Sequence, residues 1–512
     1  MNVLYLAWAP YDDLEQRMGG IRVYMHDLVK EVAKLGHKVT CLSSGHLYSP
    51  FTSRTWIEKN RSEDPAISSY AIVNAGVIAP AMFIKNNFTD VFSHEPTERV
   101  FMKFMREQGP FDIVHIQSME GMPYSILGLI KEYWPSTRII YSLHHYHDLC
   151  PKVDLYREHE GLNCNNYDAG RNCVGCYQFD YSSLRKKYYM DYIARRIGVR
   201  SKISYARLVS LAKAIWRLTT GLRRLRLYLR KLRTSIRQST VDHFFVFDPR
   251  LVKSFKMRRE HIRDVLEKNI DLFIPVSRRT MEVYQHHGYD VSRFRLEYIG
   301  TNAAELLRDG HPNIKQVDPN GPLTLCFMGY PSKLKGFEVF LSALNLLSRE
   351  VTHNIAIVIA GKISDRYTRE LSRIGKRFQS VEVCNGYTRE DQDHFLANVD
   401  LGVVPPQWED NLPQVAFEFY CHGVPFICSD LGGAQELIEG GEKSFVFHHD
   451  KPLELANKIT AIFNDRTILD EFWQHGARIQ TMREHMQKML GIYEDELNSA
   501  NARIGATSRQ LP

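Results

Sequence analysis

The chain has 512 residues, 44% of them hydrophobic and 24% charged, with a formal net charge of +7. That length exceeds what a single hydrophobic core serves, so two large domains are expected. No apolar run approaches the roughly 18 residues of a membrane span, and nine cysteines are too few for a disulfide scaffold, which leaves a cytoplasmic protein as the expectation.

The N-terminus, MNVLYLAWAPYDD, carries no basic stretch and enters a strand-like run at once, so no signal peptide is expected. NVLYLAW, HKVTCLSS, YAIVNAGV, FDIVHIQS and RIIYSLHH read as strands with helical pattern between most of them. The clearest helix runs from about Ile21 to Leu35, with Gly36 as its stop. Gly19 and Gly20 stand just ahead of it, where glycine lets the backbone approach a phosphate at the helix start; a glycine pair also fits an ordinary loop. Apolar strands alternating with helices predict a parallel sheet covered on both faces.

His144, His145 and His147 crowd the end of the fifth strand, in SLHHYHDLCP. Histidines at the carboxyl end of a parallel strand reach the ligand crevice and suit substrate hydroxyls, phosphate or acid–base work; at least one of the three is expected to be structural. Cys150, Cys164, Cys173 and Cys176 follow within 27 residues, the last two as C-x-x-C. Four thiolates can hold a structural zinc ion and order a loop of little apolar content; a redox pair or plain free cysteines are the alternatives.

The net charge hides an asymmetry. Between Ser183 and Ser239 there are 17 Lys and Arg against one acid, Asp191, which leaves the rest of the chain at −9. This segment interleaves Arg and Lys with Leu, Ile, Trp and Tyr, the pattern of an amphipathic helix on an anionic membrane surface. A solvated helical hairpin is the alternative. Nucleic acid is disfavoured, because no binding motif accompanies the charge.

LFIPVS and FRLEYIG resume the strand pattern. Asp309–Pro322 (DGHPNIKQVDPNGP) is polar and rich in Pro and Gly and reads as an interdomain linker. A second alternating series follows: LTLCFMG, IAIVIAG, VEVCNGY, VDLGVVP, VPFICSD and FVFHH, then helical pattern from about Pro452 to Ala500. The expected division is 1–308 as the first domain (with a Cys-rich loop at 150–180 and the basic insert at 183–239), 309–322 as linker, 323–480 as the second domain and 481–512 as a terminal helix and tail. In FMGYPSKLKGFEVFL, Lys333 and Lys335 sit in a loop between a strand and a helix, beside a helix N-terminus that suits a diphosphate. In GVVPPQWEDNLPQVAFEFYCHGVPFICSDLGG, Asp410 and Glu418 stand eight positions apart, a little over two helical turns. Asn411, Leu412 and Pro413 between them read as a helix start, where backbone N–H groups attract phosphate.

Taken together, these elements resemble the family-4 retaining glycosyltransferases, over most of the chain outside the basic insert and the tail. That family carries Glu, seven residues, Glu, then a small-residue stretch with G-x-P-V; here Asp410, seven residues, Glu418 and CHGVPFICSD stand in those places. Its second-domain loop, G-R, four residues, K-G, is matched by Lys335, while Tyr330 takes the place of the arginine and Lys333 is the available substitute cation. Its T-x-H-D segment is matched by SLHH, which puts His144 where the family has a histidine near the donor sugar. Gly19-Gly20 matches the glycine loop, and the stretch from IPVSRRT to EYIGTN matches the approach to the linker. Some relatives carry H-D-Y-W-x-L-C-P and further cysteines, which implies a structural Cys module.

The resemblance implies the GT-B fold: two doubly wound Rossmann-like domains facing a cleft. It implies a hexosyltransferase-type enzyme that moves a sugar from a nucleotide diphosphate sugar to a glycan or lipid-linked glycan hydroxyl with retention, without a catalytic metal. Glu418 would hold the donor ribose. Asp410, His144 and Lys335 would serve the chemistry, and Gly19, Gly20, Tyr330, Lys333, Asn411 and Leu412 would line the donor. The basic insert adds the expectation of peripheral attachment to the inner face of the cell membrane. An inactive GT-B scaffold, permitted by Tyr330 and Asp410, and another sugar-nucleotide enzyme such as an epimerase are the alternatives.

Overall fold

The computed structural model describes residues 1–11, 19–62, 64–80, 88–157, 160–176, 181–197, 207, 210, 249–387, 389–438, 442–474, 477 and 479–508. The first half contains β1 (Asn2–Ala7), β2 (Lys38–Leu47), β3 (Trp56–Lys59), β4 (Ile67–Val73), β5 (Ile113–Ile116), β6 (Arg138–Leu143), a separate hairpin of β7 (Tyr156–Arg157) and β8 (Leu162–Asn163), and β9 (Leu272–Pro275). Seven of these form one sheet in the order β3-β4-β2-β1-β5-β6-β9. β1 lies inside it, paired in parallel with β2 (Val3↔Val39) and β5 (Val3↔Ile113). Its unbroken apolar run is explained by burial on both faces, since Val3 to Leu6 are fully covered.

β3, not among the strands read from the sequence, pairs antiparallel with β4. Its half-buried Trp56 and Ile57 and its charged Glu58 and Lys59 suit an edge strand.

The second half contains β10 (Leu323–Met328), β11 (Ile355–Ala360), β12 (Ser380–Cys384), β13 (Leu401–Val404), β14 (Phe426–Ser429) and β15 (Val446–Phe447). They form a second sheet, β12-β11-β10-β13-β14-β15, parallel throughout. Strand order reverses between β1 and β5 in the first sheet and between β10 and β13 in the second. Such reversals open a crevice at the carboxyl ends of the strands, where ligands of doubly wound sheets bind.

The first helix spans Gly19–Lys34, close to expectation, and Gly36 ends it with φ +83°. Two other expectations are corrected. FRLEYIG is not a strand: it makes one bridge, Phe294 to Phe273, and two further bonds to β9 (Arg295 N to Phe273 O, 2.9 Å; Glu297 N to Pro275 O, 3.2 Å) before leaving the sheet. Glu297 is drawn off by Gln480, whose Nε2 donates to it at 2.7 Å, and by His485 at 3.5 Å. The helical pattern after Pro452 is not continuous. It breaks into Pro452–Asn464, Ile468–Glu471 and Met482–Ser508, because Asp465 turns the chain by accepting from Thr467 N and Oγ1 at 3.0 and 2.6 Å.

The last helix, Met482–Ser508, docks on the first domain. Tyr493 OH meets Tyr5 OH at 3.1 Å and His115 Nδ1 at 2.5 Å, and Glu496 pairs with Arg138 at 2.7 Å. Among the described residues no helix is long and apolar enough to cross a membrane. Of the basic insert, 198–206, 208, 209 and 211–239 lie outside the described residues. Its entry helix, Tyr181–Arg196, buries Tyr188 and Tyr192 against the first domain, Tyr192 meeting Trp56 edge-on at 6.3 Å, while Arg185, Lys186 and Lys187 face solvent.

Candidate functional site

Two helix starts meet across the crevice. The first helix begins at Gly19, and a side chain at Gly20 would stand 3.3 Å from Gln414 Cγ, on the first residue of the second-domain helix Gln414–Cys421. A side chain at Gly329, at the end of β10, would stand 3.7 Å from Val415 of the same helix. The leading N–H groups of a helix have no partner within it and carry its positive dipole end, so this junction favours an anion.

Asn411 and Leu412 lie ahead of the helix rather than within its first turn, which corrects the expected helix start. Pro413 is the N-cap, and the free backbone donors belong to Gln414 and Val415. Asn411 is buried and reaches into the first domain, its Nδ2 donating to Thr280 Oγ1 at 3.0 Å and to Leu143 O at 3.4 Å. Leu412 is buried beside Gly433.

Lys335 sits in the loop after β10, and its Nζ donates to Asp410 Oδ2 at 2.5 Å, with the Trp408 ring 5.5 Å away. Gly432 pins that acid: it has φ +71°, and a Cβ there would fall 2.0 Å from Asp410 O, so only glycine fits. Lys333 lies apart from this pair, 5.9 Å over the Tyr156 ring of β7. Tyr330 is 65% exposed, on the rim.

Glu418 lines a cavity of about 320 Å³ with Gln414, Gln392 and His422 of the second domain, Tyr24 and Asp27 of the first helix, and Thr301 and Asn302. Asp410 does not line it. The two carboxylates therefore serve different places: Glu418 faces a cavity between the domains, and Asp410 faces a lysine. Tyr387, just beyond β12, was not expected here. Burial raises its phenol pKa first and the nearby Glu418 carboxylate raises it further.

His144 donates from Nε2 to Gln117 Oε1 at 2.7 Å, and its ring lies 4.9 Å from that of Tyr24. Burial, with smaller contributions from His145 and His485, pushes its pKa down to about 3, so it is a neutral imidazole at physiological pH. His145 is buried against Ser118 (2.9 Å) and Glu120 (3.1 Å), its pKa lowered by burial to about 4. The carbonyl of fully buried His147 accepts from Arg258 Nη2 at 2.7 Å. His145 and His147 thus hold the interior, and His144 alone of the three borders the Tyr24 side of the crevice.

Glu409, next to Asp410, takes a forked pair of bonds from Arg279 of the first domain, 2.9 Å from Nε and 2.5 Å from Nη2, and accepts from Gly432 N at 3.0 Å. Glu436 accepts from the backbone N–H groups of Arg278 and Arg279 at 2.9 and 2.8 Å. Both contacts clasp the helix Arg278–His286 to the second domain. Pairing across more than a hundred residues leaves no local signal; the SRRT start of that helix was its only trace.

Cys150, Cys164, Cys173 and Cys176 line one small cavity with Lys152 and Arg259, and none is in a disulfide. Among the described residues, only Asp430, His448 and His449 bring three ligand-type atoms within 4.8 Å of one another.

Residues 18–169 match the family model described as Glycosyltransferase Family 4, and residues 322–465 match that of Glycosyl transferases group 1. The chain is 23% identical over 247 residues to spore coat protein SA of Bacillus subtilis (strain 168), covering 46% of this chain and 63% of that protein. It spans half or less of three further curated relatives. Sucrose-phosphate synthase from Thermosynechococcus elongatus superposes with a TM-score of 0.54 at 14% identity, covering 100% of this chain and 99% of that one. An α,α-trehalose-phosphate synthase (UDP-forming) from Burkholderia xenovorans, in complex with glucose-6-phosphate, superposes with a TM-score of 0.55 at 10% identity, covering 96% and 100%. A stretch within each half of the chain thus matches a glycosyltransferase domain family, and the whole has the GT-B fold.

Proposed function

We propose that this protein is a glycosyltransferase that moves a sugar from a nucleoside diphosphate sugar to an acceptor hydroxyl with retention. The observation that carries this reading is the meeting of two helix starts, at Gly20 and Gln414, between two domains that each match a glycosyltransferase model. A diphosphate fits there, with Lys335 as its cation and Lys333 as a second from the same loop. Glu418 accepts bonds from the ribose hydroxyls, and Tyr387, close enough to feel the Glu418 carboxylate, is the candidate to flank the base. The UDP-forming neighbour makes UDP-sugars the first donors to try.

In the proposed step the acceptor oxygen attacks the anomeric carbon on the face from which the diphosphate departs. The carbon–oxygen bond to the diphosphate breaks, and the leaving phosphate oxygen takes the acceptor proton. Lys335 and the Gln414 helix start stabilise the leaving charge. Asp410 orients Lys335. His144, being neutral, serves as a hydrogen-bonding group to the donor sugar rather than as a proton source. The fixed cation and helix dipole do the work of a divalent ion. We further propose a lipid-linked or membrane-proximal glycan as acceptor, in cell-surface glycan synthesis, with the basic insert on the anionic inner face of the cell membrane.

A screen of nucleoside diphosphate sugars, read as nucleoside diphosphate released only in the presence of acceptor, tests the class of reaction. Glu418→Ala and Lys335→Ala are each expected to lower transfer by about 100-fold or more, with melting temperatures near wild type. Wild-type turnover in both variants would refute the site. A protein that binds no nucleoside diphosphate would favour the scaffold reading instead.

A further inference from the structure

We propose that Cys150, Cys164, Cys173 and Cys176 bind one zinc ion, and that this ion seats the β7–β8 hairpin against the loops of the second domain. The four thiols come from three separate pieces of chain. Cys150 follows β6, Cys164 follows β8, and Cys173 and Cys176 lie three apart on the helix Arg171–Cys176, hence on one face. They converge on a single cavity of about 20 Å³, room for one water-sized sphere. Two of the thiols make only long contacts with backbone carbonyls, Cys164 Sγ to Asn166 O at 3.7 Å and Cys176 Sγ to Tyr156 O at 3.6 Å.

The segment around them packs on the helix Pro249–Asn269 but has little regular secondary structure of its own: two two-residue strands, a short 3₁₀ turn and a six-residue helix. It also stores backbone strain. Val153, Leu155, Asp168 and Ala169 have φ of +67°, +51°, +45° and +46°, conformations that cost a non-glycine residue free energy and persist only where something over-determines them. A structural zinc ion contributes folding free energy of that kind. No three sulfurs lie within 4.8 Å of one another, whereas four thiolates at Zn–S distances of about 2.3 Å stand about 3.8 Å apart. Ligation therefore draws the cavity closed and releases the thiol protons. The Asp430, His448 and His449 group is a weaker candidate. Asp430 already accepts from the His449 backbone and ring at 2.9 and 2.8 Å, and His448 is paired with Asp450 at 2.5 Å.

The module touches both domains. Asn163 Nδ2 in β8 donates to Gln407 O at 3.2 Å, and Lys333 Nζ lies over Tyr156 in β7 and 3.9 Å from where a side chain at Gly161 would begin. His286 bonds to Asn165 O at 3.0 Å. An ion that fixes this hairpin thereby positions Lys333, which couples metal to nucleotide affinity; this second half rests on the donor-site reading above.

The test is elemental analysis of the purified full chain, with UDP alone as the nucleotide probe. One zinc per chain is expected, lost in Cys173→Ser and in Cys176→Ser. Cobalt substitution of the wild type, which needs no variant to fold, should give the visible absorption of a tetrahedral tetrathiolate site. Chelation should lower the melting temperature and weaken UDP binding several-fold. Metal-free protein with four fast-reacting thiols, a Cys173–Cys176 disulfide, or iron in place of zinc would overturn the metal assignment. Zinc loss with unchanged UDP affinity would overturn the coupling. Zinc-loaded protein that binds no nucleoside diphosphate would refute the donor-site reading and the coupling with it, while the zinc count stood.

Discussion

Two adjacent acids do opposite jobs. Glu409 is spent on Arg279 across the domain boundary, whereas Asp410 holds Lys335 within its own domain. In the proposed site the first position of the Glu-x7-Glu pattern is thus taken by the shorter acid, while its longer neighbour joins the two domains. The histidines carry a pH consequence. Burial holds His144 at about 3 and His145 at about 4, well below the roughly 6.5 of a solvated imidazole. As pH falls, the unfolded chain takes up protons first, so this contribution to stability is complete above about pH 6.5 and is lost progressively towards pH 3–4. Melting temperature should therefore fall steadily from pH 7 to pH 4, and His144→Gln, which can keep a hydrogen bond to Gln117, should reduce that slope. Equal slopes in the two proteins would contradict the assignment. The position of His144 was legible from SLHH, but its neutrality was not, since that depends on Tyr24 and His485 packed from distant elements.

At the scale of elements, the helix Arg278–His286 is held at its N-terminus by two second-domain carboxylates, Glu436 on its backbone N–H groups and Glu409 on Arg279. Removing the arginine leaves Glu409, which is 3% exposed, without its charge partner. Breaking a fully buried pair costs about 3–5 kcal/mol. Arg279 is itself 35% exposed, so Arg279→Ala should cost about 2 kcal/mol, read as a lower urea midpoint. A midpoint unchanged from wild type would mean that the clasp contributes nothing. Elements with a strong period were legible: the first helix from its apolar spacing, and the central strands from their unbroken apolar runs. FRLEYIG was misread because its pattern is that of a strand and its competitor, the Gln480–His485 turn, lies nearly two hundred residues on. β3 escaped because an edge strand with two charged residues has the composition of a loop.

At the scale of the whole molecule, two apolar strand series with a polar stretch between them made the two-domain frame legible, and strand order then located the crevice. The route of the last helix was not legible, since nothing local marks Tyr493 as a partner of Tyr5 and His115. The membrane proposal belongs to this scale. Tyr188 and Tyr192 of the entry helix are used in packing, so the proposal assigns membrane contact to the part that follows. Deleting 198–239 should abolish binding to vesicles containing anionic lipid while sparing binding to neutral ones at its low level, and unchanged flotation with anionic vesicles would end the idea.

The helix Met482–Ser508 means that the backbone passes between the domains twice, once after Ile299 and once near Thr481. The first passage lies ahead of the 309–322 stretch expected as the linker, because Asn302–Leu306 already packs on the second-domain helix Gln414–Cys421. The two passages lie side by side, with Thr301 N donating to Gln480 O at 3.1 Å. A single tether would leave the halves free to swivel in any direction, but a pair of abutting strips permits chiefly one rotation, about the line they share, as a cloth-bound spine does for a book cover. Chimeras that exchange nucleotide specificity between relatives should therefore cut at both passages and carry residues 482–508 with the N-terminal parent.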